Sequence, residues 1–224
     1  MTKVVTTSKD VCSNDFSRYV PEFLTMYEYF NLTPQERSEI LRIRKSQGYP
    51  LHAPPHPFRD EGYFLVTAAT YQHAHILKTA ERRTNFEVSL LHTFQELEAD
   101  VKAWVVLPNH YHILVYTPEF GRIARSLKLL HGRTSREWNL ADSTSGRKVW
   151  YRYSDRKMRG ERHYYAALNY IHYNSVKHKW VGSWRDWPWS SFPLYEKDYG
   201  PEWINENWQK YPVEDFGKGW DDSL

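Results

Sequence analysis

The chain has 224 residues, a mass of 26.9 kDa and a formal net charge of +3. This length favours one domain with extensions, and an aromatic content of 17% excludes disorder along the whole chain. No apolar run is long enough to span a bilayer, the N-terminal residues lack the apolar core of a signal peptide, and the lone Cys12 cannot form an internal disulfide. We therefore expect a cytoplasmic protein with no membrane partner.

The first predicted region is an N-terminal extension, residues 1–60, with a poorly ordered start at residues 1–18. Thr33-Pro34-Gln35-Glu36 has the form of a helix capping box with proline at the first helical position. A helix is therefore predicted over residues 35–47, ending at Gly48. Residues 50–57 contain four prolines in eight residues, which predicts an extended connector.

The second predicted region, residues 61–192, alternates strand-like and helix-like patterns. β-Branched and aromatic runs predict strands, whereas apolar residues spaced three and four apart predict amphipathic helices. A Trp-rich C-terminal tail follows at residues 193–224. The sequence thus predicts an α+β fold, an antiparallel sheet flanked by helices. Strands are predicted at 63–71, 102–106, 110–116 and 148–153, and helices at 80–98, around 123–138, and at 161–175, with a bend at residues 107–109.

One predicted strand carries a pair of histidines, His110 and His112. Residues two apart in a strand point to the same face, so both imidazoles project together while Tyr111 and Ile113 point into a core. Two imidazoles on adjacent pleats can bind one divalent ion. The alternative interpretation is a strand face with two partly exposed histidines and no ligand.

The last predicted helix contains Tyr170 and Asn174, which are one turn apart and share a face. A phenol and a carboxamide are thereby presented together. The alternative is that Tyr170 only packs at the edge of the core, as tyrosines commonly do. Spacing alone does not select it among 17 tyrosines.

Three segments together, residues 104–115 (WVVLPNHYHILV), 169–181 (NYIHYNSVKHKWV) and 186–191 (DWPWSS), carry a more specific pattern. In order and spacing they resemble the REP-associated tyrosine transposases. These belong to the single-tyrosine HUH (His-hydrophobic-His) transposases of insertion sequences. The resemblance implies a ferredoxin-like, RRM-like HUH catalytic domain between about residues 63 and 192.

By the same resemblance, His110 and His112 are metal-binding histidines, Asn174 is the third metal ligand and Tyr170 is the nucleophile. The chain has Ser175 where this family usually has proline. The implied metal is Mg²⁺ or Mn²⁺. The implied reaction is transposition chemistry: single-stranded DNA is cleaved and rejoined through a 5′-phosphotyrosine intermediate, at hairpin-forming repeats, by a monomer or homodimer.

Lysine and arginine side chains are the expected phosphate contacts. Two predicted patches are best placed: Arg122, Arg125 and Lys128 on one helix, and Arg156, Lys157 and Arg159 before another.

Each patch could instead be a solvated face. Three functional alternatives also remain: a metal-dependent nuclease that uses water, a non-catalytic DNA-binding protein, and a structural module without a ligand.

Overall fold

A computed structural model describes residues 33–36, 38, 39, 42, 61–214, 216 and 217. The chain divides into two compact units, Met1–Phe58 and Arg59–Leu224. In the first unit, residues 34–36, 38, 39 and 42 are helical and the predicted capping box forms. Glu36 N donates to Thr33 Oγ1 at 3.3 Å, and Thr33 N donates to Glu36 Oε2 at 2.7 Å. The predicted disordered start, helix end and proline connector lie outside the described residues.

The second unit contains an antiparallel sheet with strand order β2-β3-β1-β4. Helices follow β1, β3 and β4, and this βαββαβ order with its strand arrangement is ferredoxin-like. The predicted α+β fold, an antiparallel sheet flanked by helices, is confirmed. Its elements are β1 (Gly62–Ala69), α1 (Ala80–Glu96), β2 (Asp100–Val106), β3 (His110–Thr117), α2 (Phe120–Ala141), β4 (Ser154–Lys157), α3 (Glu161–Lys177) and α4 (Phe192–Lys210).

The two faces of the sheet are covered by different helices. On one face, Tyr111 of β3 packs against Phe86 of α1 and Trp150, with ring centroids 5.3 and 5.9 Å apart. Successive strand residues alternate between faces, so the even-numbered residues of β3 face the other layer. That layer is α3, joined to the sheet through Leu65, Ala103, Val105, Leu114, Ala167, Leu168 and Ile171.

The predicted bend between β2 and β3 is a tight turn. Leu107 N donates to His110 O at 2.8 Å, and the turn is held from outside by Thr70 N, which donates to Asn109 O at 2.8 Å. Leu77 N donates to Pro108 O at 2.9 Å. Because proline lacks a donor, the ladder cannot continue through residue 108, and β3 begins at His110.

The predicted strand at residues 148–153 is wrong. The strand lies four to six residues later, at β4, and Trp150 makes only an isolated bridge with Thr70. The aromatic side chains that suggested a strand reflect core packing instead. Trp150 is 7% exposed and stacks on His131 with ring centroids 4.5 Å apart.

A long helix, α4, occupies much of the tail where no regular pattern was predicted. It is broken at Gly200, where φ is +79°, and Pro201 follows. A glycine tolerates this left-handed conformation, and the break resets the helical periodicity. The helix packs on α3 through the amide pair Asn169 and Asn207, since Asn207 Nδ2 donates to Asn169 Oδ1 at 2.8 Å.

The tryptophans before α4 cover the outer edge of β2. Val106 N donates to Trp189 O at 2.9 Å, and Ser191 N donates to Trp104 O at 3.0 Å. The indole of Trp187 is 5% exposed and its Nε1 donates to Val106 O at 3.0 Å. These side chains serve packing. Within the described part of the chain, no helix has the length and apolar character needed to cross a membrane.

Candidate active site

The two histidines of β3 face α3 and are buried. His110 is 3% exposed and His112 is 0% exposed. The interpretation of a strand face with two partly exposed histidines is therefore wrong, because α3 covers the histidine face of the sheet. The register pairs His112 with Thr67 of β1, and Thr67 Oγ1 lies 2.7 Å from His112 Nδ1.

His110 is fixed from both sides. Its Nδ1 donates to Asn109 Oδ1 at 2.8 Å, and its Nε2 lies 2.9 Å from Oδ1 of Asn174 on α3. With the proton on Nδ1, a neutral imidazole presents a lone pair at Nε2. Two acceptor atoms therefore face each other. Asn174 Nδ2 is buried and has no hydrogen-bond partner among the described residues.

This donor set fits a divalent cation. Two ligands bound side by side to one ion at about 2.1 Å each lie about 3 Å apart, close to the 2.9 Å between His110 Nε2 and Asn174 Oδ1. Contacts to the Nδ1 atoms of both histidines orient the rings for metal binding through Nε2. The described residues contain no group of three or more His, Cys, Asp or Glu suited to a metal, so an amide would be the third ligand.

Ser175 does not disturb the aim of Asn174. Helix α3 runs through both residues to Lys177, and His178 N donates to Asn174 O at 3.1 Å. The carboxamide reaches His110 from a regular helical position. The family's proline is therefore not needed to place this side chain.

Tyr170 lies one turn before Asn174 and projects toward the same histidines. Its ring centroid is 5.1 Å from that of His112, and its hydroxyl accepts a hydrogen bond from Lys177 Nζ at 3.4 Å. The predicted constellation of Tyr170, Asn174, His110 and His112 is thus brought together by one helix and one strand.

The C-terminal residues cover Tyr170, which is 0% exposed. The ring of Phe216 lies 5.4 Å from that of Tyr170, and the backbone of Gly217 passes directly over the tyrosine. A Cβ on Gly217 would lie 2.2 Å from Tyr170 Cε2, and φ at this residue is +79°. Glycine is needed here for both reasons. Sequence reasoning missed this cover because the segment has no periodic pattern.

Basic side chains lie beside the same site. Arg156 of β4 is paired with Leu65 of β1, whose side chain faces α3, so Arg156 lies on the histidine side of the sheet. Arg159, Arg162 and His163 line a cavity of about 570 Å³ that is bounded on its other side by residues 212–214 and 216. Burial and the charges of Arg156 and Arg159 lower the pKa of His163.

The other predicted DNA contacts lie elsewhere. Arg122, Arg125 and Lys128 are exposed on α2, which covers the opposite face of the sheet. Lys157 alternates with Arg156 on β4 and reaches Phe64 on that opposite face, with Nζ 5.9 Å from the ring centroid. Of the six predicted cations, the structure brings Arg156 and Arg159 to the site.

Two groups near the site were not predicted. Lys177 contacts the Tyr170 hydroxyl, and the ring of His178 lies 4.9 Å from that of His110. The helical rule could have found Lys177, because residues 170, 174 and 177 lie on one face.

Comparison with known proteins places these residues in a family context. No protein-family model matches the chain. A REP-associated tyrosine transposase of Escherichia coli (strain K12) is 31% identical over 98 residues, which cover 42% of this chain and 54% of that protein. The match thus spans about half of the relative's length. A putative REP-associated tyrosine transposase of Haemophilus influenzae (strain ATCC 51907 / DSM 11121 / KW20 / Rd) is 27% identical over 131 residues, covering 51% and 74%.

A solved structure of a REP-associated tyrosine transposase bound to a REP hairpin has a similar fold. Its TM-score is 0.52 at 23% identity, and the match covers 65% of this chain and 86% of that one. The shared fold agrees with the relationship found in sequence. The predicted resemblance is confirmed, and this chain is a relative of the REP-associated tyrosine transposases.

Proposed function

We propose that the protein is a metal-dependent DNA strand transferase of the transposase type, which cleaves and rejoins single-stranded DNA through a 5′-phosphotyrosine. The observation that carries this proposal is the convergence of Tyr170 and Asn174, from one face of α3, on His110 and His112 of β3. A nucleophilic hydroxyl lies beside a set of ligands suited to a divalent ion.

The reaction is a transesterification. The bond that forms joins phosphorus to Tyr170 Oη, and the bond that breaks joins phosphorus to the 3′ oxygen of the preceding nucleotide. The tyrosine proton finishes on the released 3′-hydroxyl. Because the phosphotyrosyl ester keeps the energy of the broken bond, the 3′-hydroxyl of a second strand can reverse the step without ATP.

His110, His112 and Asn174 would hold the metal, as Mg²⁺ or, with two nitrogen ligands, more readily Mn²⁺. A bound divalent ion would polarise a phosphoryl oxygen and neutralise charge that develops there. The contacts to Asn109 and Thr67 keep both imidazoles in one orientation. The burial of both rings excludes water from their flanks, which strengthens electrostatic interactions in the site.

The DNA strand would approach along the side of α3 that carries Arg159, Arg162 and His163, with Arg156 beside them. Phosphate contacts from these arginines would position the strand without reading its sequence. The related solved structure contains a REP hairpin, which favours hairpin-forming repeats as the substrate.

The test is a covalent-adduct assay on denaturing gels with a 3′-labelled single-stranded oligonucleotide carrying a REP-like hairpin, in the presence of Mn²⁺. Wild-type protein should produce a labelled adduct, and Tyr170→Phe should produce none. Tyr173→Phe is the matched control, since Tyr173 is on the same helix but packs against Trp184 and Trp208.

Two results would contradict the proposal. Normal cleavage by Tyr170→Phe, with no adduct from either protein, would identify a nuclease that uses water. Binding of the oligonucleotide without Mn²⁺-dependent cleavage by wild-type protein would identify a non-catalytic DNA-binding protein.

A further inference from the structure

Lys177 is the third residue of the α3 face that carries Tyr170 and Asn174. It lies seven residues after Tyr170, two helical turns away, and its Nζ is 4.9 Å from the centroid of the tyrosine ring. The same Nζ donates to Tyr170 Oη at 3.4 Å. A cationic group is therefore placed at the atom that would attack phosphorus.

The ammonium group of Lys177 has a second oxygen partner. Nζ donates to the carbonyl oxygen of Gly217, also at 3.4 Å. Gly217 lies against the ring of Tyr170, in the space that an incoming phosphate must enter to reach the hydroxyl. One cation thus links the tyrosine oxygen to an oxygen on the substrate side of the ring.

We infer that Lys177 is a further catalytic residue, whose ammonium group bridges Tyr170 Oη and a non-bridging oxygen of the attacked phosphate. The Gly217 carbonyl marks the position of that phosphate oxygen when DNA is absent. This inference rests on the proposed function and adds a residue to it.

The charges in the reaction favour this arrangement. As the phosphorus–Oη bond forms and the phosphorus–O3′ bond breaks, negative charge is spread over the tyrosine oxygen and the phosphoryl oxygens. A fixed cation within reach of both stabilises that charge distribution more than it stabilises the neutral hydroxyl. An ammonium also binds a phosphate oxygen more strongly than a neutral carbonyl, which favours exchange of Gly217 for substrate.

The position of Lys177 on the helix gives the contact its precision. Tyr170 and Lys177 are carried by the same regular helix, so the distance between their backbones is fixed by helical geometry. Lys177 is half-buried near the helix end. Replacing its side chain therefore should not disturb the core.

The experiment compares Lys177→Met, which removes the charge, with Lys177→Arg, which keeps it, in the full-length protein. Adduct formation is measured under single-turnover conditions with saturating 3′-labelled hairpin oligonucleotide and Mn²⁺. The dissociation constant of the same oligonucleotide is measured in parallel. Lys197→Met is the control, an exposed lysine on α4.

Lys177→Met should slow adduct formation by about 100-fold or more, while the dissociation constant changes by less than about fivefold. Lys177→Arg should recover at least a tenth of the wild-type rate, and Lys197→Met should match wild type. A rate for Lys177→Met within threefold of wild type overturns the inference. Equal losses in the Met and Arg variants also overturn it, because they indicate a role in packing.

The failure of this inference is distinguishable from failure of the proposed function. An adduct from wild-type protein together with an unimpaired Lys177→Met variant removes Lys177 alone from the reaction. Absence of any adduct from the wild-type protein overturns both proposals.

Discussion

His112 shows what a two-residue period can and cannot predict. The period places His110 and His112 on one face of β3, and the structure agrees. It does not say what covers that face, because cover comes from α3, 58 positions further along the chain by the register of Tyr170 with His112. The full burial of His112 could therefore be learned only from the tertiary structure.

Replacement of His112 by alanine should cost stability as well as metal binding. The change leaves Thr67 Oγ1 without its imidazole partner, and an unsatisfied buried polar group costs about 1–3 kcal/mol. Thermal denaturation with and without Mn²⁺ measures both effects. Wild type should be stabilised by Mn²⁺ and His112→Ala should not, whereas His92→Ala, an exposed control on α1, should behave as wild type. Equal Mn²⁺ stabilisation of the His112 variant would contradict the metal assignment.

His131 should make the stability of the fold depend on pH. Burial against Trp150 and Tyr111 lowers the pKa of His131 to about 4, whereas an unfolded histidine titrates near 6.5. Between these values the unfolded chain binds the proton and the folded chain does not, so stability decreases as pH falls below about 6.5. This single group should account for about 2 kcal/mol of lost stability between pH 8 and pH 5.

Chemical denaturation at several pH values tests this expectation. His131→Gln should have a lower stability at pH 8, because the ring packing is lost, but a smaller decrease toward pH 5. A decrease identical to that of wild type would assign the pH dependence to other groups.

Elements with strong periodicity were predicted close to their observed bounds. Helix α1 was predicted at 80–98 and is found at Ala80–Glu96, and α3 was predicted at 161–175 and is found at Glu161–Lys177. β4 was misplaced because four polar residues, SDRK, carry no strand pattern and pair only because β1 offers its edge. α4 was missed because Gly200 interrupts its period.

The segment after α4 should restrain the reaction. Phe216 and Gly217 cover Tyr170, and Glu214 of the same segment forms an ion pair with Arg162 at 2.9 Å. This ion pair is exposed and contributes little energy, so the cover is displaceable. A chain that ends at Tyr211 should therefore form the phosphotyrosine adduct several-fold faster than the full chain.

Gly217→Ala provides an independent check on the same segment. Its Cβ cannot be accommodated beside Tyr170, so the backbone must move away and the adduct rate should also rise. Unchanged rates in both variants would show that the segment leaves the site readily without help.

At the scale of the whole molecule, the two predicted basic patches lie on opposite faces of the sheet. The sequence could not rank them, because both have the composition of a phosphate-binding surface. The fold places Arg156 and Arg159 on the side of α3 and the arginines of α2 on the far side. The face that carries the histidines and Tyr170 should therefore provide the contacts that matter for cleavage.

A comparison of two multiple variants tests this ranking. Arg156→Gln combined with Arg159→Gln should weaken binding of a single-stranded oligonucleotide and reduce the salt dependence of its affinity by about 0.7 per lost phosphate contact. The matched change of Arg122 and Arg125 to Gln should leave the slope and the cleavage rate unaltered. The reverse pattern would place the DNA on α2.

The segment that covers β2 has a consequence for the behaviour of the protein in concentrated solution. An exposed sheet edge is a template on which another chain can add a strand and begin to aggregate. Here the edge of β2 is hydrogen-bonded to the residues around Trp189, and the opposite edge is the short β4, whose sequence SDRK carries three charged residues. Neither edge invites strand addition, so a chain with 17% aromatic residues should resist edge-to-edge association through its sheet.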